Sequence, residues 1–574
     1  MLNWATIRFP LFLLGSLVVL LGLATTPVRE NDIFWQLQSG KYLWQSGAFL
    51  YTDTFTLAAS APRWEHCWLN DLVFWAAYLM GGYAGISLLK GLLVALTGAV
   101  VLWAARRRGG DISVLLLLSL PLLLLCHTFW QERPQLWSYL CFALLLWLLN
   151  DDREHGGRQL WLVVPLVAVW ANLHAGAIIA LPVLAAFLVG GWAEDRLSHG
   201  TKAGRRRGVV TALSVVALLA TPYGLQPFLA LLPAARLEQT NSALAFFNVD
   251  WQPMSYALNP WFYYALPIAA LLLATSWRRP AWIDLLLLVG TAVMAFRLAR
   301  HAPFFFIGAA VVLPRHAQVL QGLITSAGWL RLTWGGAMLT GLILSLLLAG
   351  EIGTARGFFQ PGLIPERYPV RAAAFIRQEG LPRNLYNTYT LGGFVAWQLY
   401  PDYLAFFDSR QDSPEMFVNG LMVSSGNYKW EAILDQYQVA TILTEICNVV
   451  QGYRYPLVDR LQGSSEWVAV FADDTSLVYV RRKALPEAWI NAHTLTQTEI
   501  DAAILRAADM CIRENPQGSD AYWVRGEILL KQGALDAAYV AIDRYLRSAQ
   551  YPHADAVRAH QQLRQWFDRR GSVR

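Results

Sequence analysis

The sequence predicts a polytopic α-helical membrane protein with a C-terminal α/β domain and an α-helical tail. Of its 574 residues, 55% are hydrophobic and only 15% are charged, whereas soluble domains carry about 25% charged residues. Several apolar runs reach the roughly 17–25 residues that a bilayer requires. From Glu366 onward the composition changes, and short strand and helix patterns with ordinary charge replace the apolar runs.

About eleven spans are predicted. They lie near 9–26, 84–104, 112–128, 135–149, 160–173, 175–193, 208–221, 261–276, 281–296, 302–314 and 329–350. The first has no small-residue cleavage site before Arg29 and reads as an uncleaved anchor. The stretch 70–82 is apolar but too short to cross, so it is placed in the membrane interface.

The connecting segments alternate in character. One set holds Arg106-Arg-Arg, Asp151-Asp-Arg-Glu-His, the run Glu194 to Gly208, Trp277-Arg-Arg and Pro314-Arg-His. These basic loops belong in the cytoplasm by the positive-inside rule. The other set holds the loop 27–83, Trp130-Gln-Glu-Arg-Pro, Asn172-Leu-His174, the stretch 222–260 and Arg297-Leu-Ala-Arg-His301. An odd number of spans places everything after Glu351 outside as well. The expected division is a membrane domain over 1–350, an extracytoplasmic α/β domain over 351–485 and a helical tail over 486–574.

The pI near 9.0 follows from these topogenic loops and does not indicate nucleic acid. Five cysteines (Cys67, Cys126, Cys141, Cys447 and Cys511) lack CxxC or ligand spacing, which argues against a zinc site or a disulfide framework.

In the soluble part, Tyr368-Pro-Val-Arg-Ala-Ala-Ala-Phe-Ile-Arg predicts a helix with proline near its start. Asn384-Leu-Tyr-Asn reads as a short strand, and Leu391-Gly-Gly opens a new element after a glycine turn. Ala405-Phe-Phe reads as a buried strand ending at Asp408-Ser-Arg. A helix near 428–437 and the strand Val439-Ala-Thr-Ile-Leu follow. Trp467-Val-Ala-Val-Phe and Leu477-Val-Tyr-Val then form a hairpin around Asp473-Asp474. Asp408 and Arg410 read as a ligand-binding strand end or as a structural ion pair. In the tail, Ala521-Tyr-Trp-Val-Arg-Gly-Glu through Ala538-Tyr resembles one tetratricopeptide helix pair with Gly533 in its turn. That pair serves as a protein-binding surface or as a structural cap.

The polar residues near helix ends concentrate on the outer set of segments. They are Asp32, His66, Glu132, Arg133, Asn172, His174, Tyr223, Asp250, Arg297, Arg300 and His301. Ionisable groups at membrane depth are costly and are paired or functional. So many from different helices on one face read as a site.

Several motifs together carry a family resemblance. They are Asp32-Ile-Phe-Trp-Gln-Leu-Gln-Ser-Gly40, Tyr51-Thr-Asp-Thr-Phe55, Trp64-Glu-His-Cys-Trp-Leu69 and Gly81-Gly-Tyr-Ala-Gly-Ile-Ser-Leu-Leu-Lys90. Arg133-Pro-Gln-Leu, Trp170-Ala-Asn-Leu-His-Ala-Gly176, Pro222-Tyr-Gly, Arg297 to Pro303, Tyr368-Pro-Val and Leu391-Gly-Gly follow. In order and spacing they resemble the GT-C superfamily of integral-membrane glycosyltransferases, in a bacterial branch with a C-terminal soluble domain. The resemblance runs from the first helix to about residue 480. It implies a multi-pass protein of the bacterial plasma membrane that takes a sugar from a polyprenyl-phosphate carrier to an envelope acceptor on the outer face. It also implies a catalytic carboxylate in the first outer loop, which is Asp32 here. The chain departs from the branch at Cys67, where an acidic or amide residue commonly precedes Trp-Leu. Glu65 and Asp71 are near but not in the matching position.

Such a transfer needs a base for the acceptor hydroxyl, cations for the phosphate and an apolar groove for the isoprenoid. Asp32 is the expected base, and its alternative role is to cap an interfacial helix. Arg297, Arg300, His301 and Arg133 are expected on phosphate, since arginine holds phosphate oxygens bidentately; the alternative is snorkelling to headgroups. Lys90 lies inside a span and joins the same set. His66, Asn172, His174 and Tyr223 are expected to line the substrate site, or else to be packed, hydrogen-bonded residues. A divalent cation among Asp32, His66 and His174 is left open, and no metal ligand is assigned because their spacing matches no known ligand pattern. A lipid-linked sugar transporter and a non-catalytic scaffold for envelope assembly, using the tail to bind a protein partner, are the competing functions. Transporters show inverted repeats with broken helices, and no such repeat is visible.

Overall fold

The computed structural model describes residues 4–58, 63–198, 203–229, 252–276, 281–326, 334–449, 451–517 and 520–571. Asp250 and Trp277-Arg-Arg lie outside the described residues. Contacts divide the chain into two units. One comprises Met1–Glu30, Ser39–Tyr51 and Trp64–Leu363; the other comprises Asn31–Gln38, Thr52–Arg63 and Ile364–Arg574.

The first unit is helical. Among the described residues six helices are long and apolar enough to cross a bilayer: Ile7–Ala24, Trp68–Arg107, Ile112–Phe129, Ala175–Glu194, Ala299–Leu320 and Met338–Arg356. Arg158–Leu173 and Pro260–Ala274 are apolar but shorter. Trp282–Arg297 has 16 residues and Ala203–Ala217 has 15. Gln135–His155 has 21, but Asp151, Asp152 and Arg153 fill its last turns. The expected number of spans was about eleven, and these shorter helices account for the rest of the apolar pattern. Trp68–Arg107 is broken at Gly81 and Gly82, where φ/ψ reach 57° and −144° at Gly82. That backbone region belongs almost entirely to glycine. The break falls where the sequence separates an interfacial stretch from the span that follows.

Within the first unit, described residues of the two sets of connecting segments bond at different helix ends. At one end the buried Asp284 carboxylate accepts from Arg108 Nη2 at 2.7 Å, Arg153 Nη1 at 2.9 Å and His316 Nε2 at 3.0 Å. Arg153 also donates to Glu194 at 2.9 Å, and Asp152 accepts from Arg206 and from Arg207 at 2.9 Å. At the other end Trp68 Nε1 donates to Asn172 Oδ1 at 2.8 Å, and Asn172 Nδ2 donates to the Ala220 carbonyl at 2.7 Å.

The second unit holds a four-stranded sheet in the order β1-β2-β4-β3. The strands are β1 (Leu385–Asn387), β2 (Thr441–Glu445), β3 (Trp467–Ala472) and β4 (Ser476–Arg481). β1 runs parallel to β2, with Tyr386 opposite Ile442; β4 is antiparallel to both β2 and β3. The Asp473 carboxylate holds the β3–β4 turn by accepting from the N–H groups of Thr475 and Ser476 at 3.0 and 2.8 Å. Helices Val370–Gln378 and Trp430–Gln436 occur where the sequence predicts them, and the element expected after Leu391-Gly-Gly is the helix Gly392–Leu399, which includes both glycines. Ala405–Phe407 does not form a strand. It is buried, and its pairing is a single parallel bridge between Ala405 and Thr56. Its partner is a short piece of the first loop, too small to extend a ladder.

After the short helix Glu487–His493, four more helices follow: Gln497–Glu514, Asp520–Lys531, Leu535–Ser548 and Ala554–Gly571. Thr496 and Glu499 form a capping box at the first. Leu529, Ala538, Ile542 and Tyr545 form their shared core. Arg454 reaches Glu527 at 3.0 Å, joining this tail to the sheet. Cys447 and Cys511 are both buried, and Cys511 Sγ lies 3.8 Å from the Asn448 carbonyl.

Candidate active site

Asp32 opens the helix Asp32–Ser46 and lies in the second unit. Its Oδ1 accepts from Trp35 Nε1 at 3.3 Å and from the Ser409 hydroxyl. The helix is seated by aromatic packing. Phe34 meets Tyr368 edge-on at 4.8 Å between ring centroids and Phe394 at 5.0 Å. Two glycines make room for the contact. A Cβ on Gly393 would sit 3.2 Å from the Asn31 carbonyl oxygen, and one on Gly392 would sit 2.1 Å from that of Phe407. The Tyr368-Pro-Val and Leu391-Gly-Gly motifs therefore meet the Asp32 segment on the same side.

Asp53 and Arg63 of the first loop pair with the segment Asp408–Asp412. Arg410 Nη2 lies 3.1 Å from Asp53 Oδ1 and 2.6 Å from Asp408 Oδ2. Both carboxylates and the guanidinium are almost fully buried, with side-chain exposures of 1–2%. Arg63 Nη1 donates to both oxygens of Asp412 at 2.9 and 2.8 Å and stacks 5.3 Å over Trp35. Burial pushes the Asp53 carboxyl up, but Arg410 and hydrogen bonds from Thr56 and the Phe55 N–H outweigh it and hold it below the usual range. Asp408 goes the other way, because burial outweighs the help of Arg410. Of the two sequence readings of Asp408 and Arg410, the geometry has them as an ion pair.

The other sequence-predicted residues lie in the first unit. His66 and His174 face each other with ring centroids 6.4 Å apart, and Arg300 and His301 are within electrostatic reach of His174. The His174 tautomer is fixed. Trp170 Nε1 donates to Ser138 Oγ at 2.7 Å, that hydroxyl donates to His174 Nδ1 at 2.7 Å, and the Gly176 N–H donates to the same nitrogen at 3.2 Å. With Nδ1 accepting, the ring proton sits on Nε2. Asn172 bonds Trp68, as above. Tyr223 packs against Tyr51 at 5.4 Å and Phe49 at 6.1 Å. Arg297 ends its helix and is exposed.

Lys90 and Arg133 belong to a second group. The Lys90 ammonium donates to Glu132, to Thr26 Oγ1 at 2.8 Å and to the Thr26 carbonyl at 3.2 Å. An ammonium has three protons, and protein acceptors account for them all. Glu132 also accepts the N–H groups of Arg29 and Glu30 at 3.3 Å, and Arg133 pairs with Glu30 at 2.8 Å. Arg356 lies within electrostatic reach of Arg29 and Glu132. One helical turn beyond Lys90, Val94 lines a small apolar cavity of about 20 Å³ with Leu20, Leu123, Trp130, Tyr139 and Ile307.

No family model and no curated protein matches the chain. Solved structures do. The oligosaccharyltransferase AglB from Archaeoglobus fulgidus, in complex with an inhibitory peptide and a dolichol-phosphate, superposes with a TM-score of 0.56 at 10% identity, over 77% of this chain and 70% of that one. ArnT from Cupriavidus metallidurans in the apo state gives 0.50 at 14% identity, over 84% and 100%. The mycobacterial arabinofuranosyltransferase AftD gives 0.51 at 13% identity, over 82% of this chain and 39% of that much longer one. The chain has the GT-C fold.

Within this GT-C fold, sequence reasoning missed Ser409, Arg29, Glu30 and Arg356. Arg29 and Glu30 stand immediately before Asp32 in the first motif, and Ser409 stands between Asp408 and Arg410. Their neighbours drew attention, but the partners that define their roles are remote in sequence. The sequence considered a cation among Asp32, His66 and His174. Among the described residues the grouped donors are instead Glu65, His66 and Cys67, whose ligand atoms lie within 4.8 Å of one another. Cys67, the departure in the first-loop motif, is thus part of that donor set.

Proposed function

We propose that this protein is a membrane glycosyltransferase that moves a sugar from a polyprenyl-phosphate carrier to an envelope acceptor on the outer face of the bacterial plasma membrane. The observation that carries this reading is the GT-C fold with a first-loop carboxylate, Asp32, held by side-chain donors. AglB, of the same fold, is solved with a dolichol-phosphate, which favours a lipid-phosphate donor here. The end rich in Arg106 to Arg108, Arg153 and Arg205 to Arg207 is assigned to the cytoplasm. The opposite end and the second unit then face outward.

In this mechanism Asp32 accepts the proton of an acceptor hydroxyl as that oxygen attacks the anomeric carbon. The carbon–oxygen bond to the carrier breaks, and polyprenyl phosphate leaves with the bonding electrons. Arg300, with His66, His174 and His301 around it, supplies positive charge and hydrogen-bond donors for that phosphate. Arg133 and the exposed Arg297 hold the carrier headgroup. Lys90 acts through Glu132, and Asn172 and Tyr223 shape the aromatic wall with Phe49 and Trp68.

The test is mass spectrometry of envelope glycolipids and glycans from cells with and without the protein. One sugar should be missing without it. Asp32→Ala and Asp32→Asn should reproduce that loss while the protein still reaches the membrane folded. Wild-type glycan profiles with both variants would remove Asp32 from the mechanism.

A further inference from the structure

The second unit surrounds the Asp32 segment with more structure than a helix start requires. Asp32 and Ser409 are 377 residues apart in sequence, yet the hydroxyl donates to the carboxylate. Ser409 itself has little freedom. On its N-terminal side, Asn387 clamps the backbone by donating to the Phe407 carbonyl at 2.9 Å and accepting the Phe406 N–H at 2.8 Å. Asp408 then closes a tight turn over it by accepting the Arg410 N–H at 2.9 Å. On its C-terminal side, Arg410 is fixed to Asp408 and Asp53, 5.2 Å over the Phe55 ring. A serine between two buried, anchored residues places its hydroxyl with small error. A carboxylate in the first turn of its own helix otherwise has rotamers that turn back to cap that helix.

We infer that Ser409 is a positioning residue for Asp32: the α/β unit holds the first-loop carboxylate in its working rotamer through the Asp408-Ser409-Arg410 strap. The catalytic part of this statement rests on the transferase reading, while the contact itself does not. Ser409 takes no part in bond making. Its hydroxyl fixes one oxygen of Asp32, and the base then meets the acceptor hydroxyl without first reorienting. The Gly392-Gly393 pair serves the same end, because side chains there would push apart the Asp32 segment and the strap.

The test uses the full-length protein in lipid nanodiscs and three variants: Ser409→Ala, Ser409→Thr and Ser409→Cys. Modification of Asp32 by a water-soluble carbodiimide, followed by peptide mass spectrometry, reads the contact without any substrate. The expected result is labelling several-fold faster in Ser409→Ala and Ser409→Cys and restored to the wild-type rate in Ser409→Thr, which keeps the hydroxyl. Equal labelling in wild type and Ser409→Ala would overturn the contact. In cells, the glycan product should fall about tenfold in Ser409→Ala, the effect of losing one hydrogen bond to a charged group, and return in Ser409→Thr. Unchanged product in Ser409→Ala would overturn the positioning role. Ser409→Cys, nearly equal in volume, separates loss of the hydroxyl from loss of packing. If Asp32→Asn were fully active while carbodiimide labelling still followed Ser409, the transferase reading would fall and the contact would stand.

Discussion

At the scale of single residues, the ion pairs around Arg410 have a sign that can be measured. Asp53 is held below the ordinary carboxylate range, so its contribution is complete above the unfolded value of about 3.9 and is lost as pH falls through its folded value. Asp408 is held above that range by burial, so its contribution is complete below the unfolded value and shrinks as pH rises through its folded value. Acidification therefore protonates Asp408 first, while Asp53 still neutralises Arg410. Asp53→Asn should lower the melting temperature at neutral pH and show a smaller further loss than wild type between about pH 5 and pH 3. Circular dichroism melts in detergent would read both. The sequence made Asp408 and Arg410 visible as a pair because they are two residues apart in one turn. It made Asp53 visible only as part of a motif, since its guanidinium partner comes from the far end of the chain.

Among the elements, the helix Gly392–Leu399 has a tight steric requirement. Gly392→Ala would drive a methyl to 2.1 Å from the Phe407 carbonyl oxygen, and backbone cannot yield as a flexible side chain does. Overpacking of this kind costs about 1–3 kcal/mol, and here it pushes on the residues flanking Ser409. The expected outcome is a lower melting temperature and faster proteolysis within residues 52–63. Most elements of this unit were legible because each carries its own periodicity or turn chemistry. The hairpin around Asp473 and the helix after Tyr368-Pro are examples. Ala405–Phe407 was not legible as what it is. Three buried apolar residues read as a strand, but an isolated bridge to Thr56 leaves no ladder to continue.

Across the whole membrane unit, helices are tied together at the end that carries Asp284. Asp284 is fully buried and accepts from Arg108, Arg153 and His316, which come from three other helices. Asp284→Ala removes the carboxylate from the buried Arg108 guanidinium and from the partly buried Arg153, and breaking a buried pair in this way costs about 3–5 kcal/mol. A fall in thermal stability in detergent, with Asp284→Asn intermediate, is the expected measurement. That the loops fall into two sets was legible from charge alone, because topogenic arginines are written locally. Which loop residues touch was not. Asn172 with Trp68, and His66 with His174, are brought together by helix packing that no local pattern encodes. The number of crossing helices was also less legible than the apolar runs suggested, because several of the helices are short or end in charges.

The 349 residues between Arg63 and Asp412, like the 377 between Asp32 and Ser409, impose an order on biogenesis. The first loop is translated early and its matching surfaces very late, so the Asp32–Ser409 bond and the Arg63–Asp412 pair form only once the chain has grown past residue 412. A chain that stops short of residue 412 cannot form the Arg63–Asp412 pair.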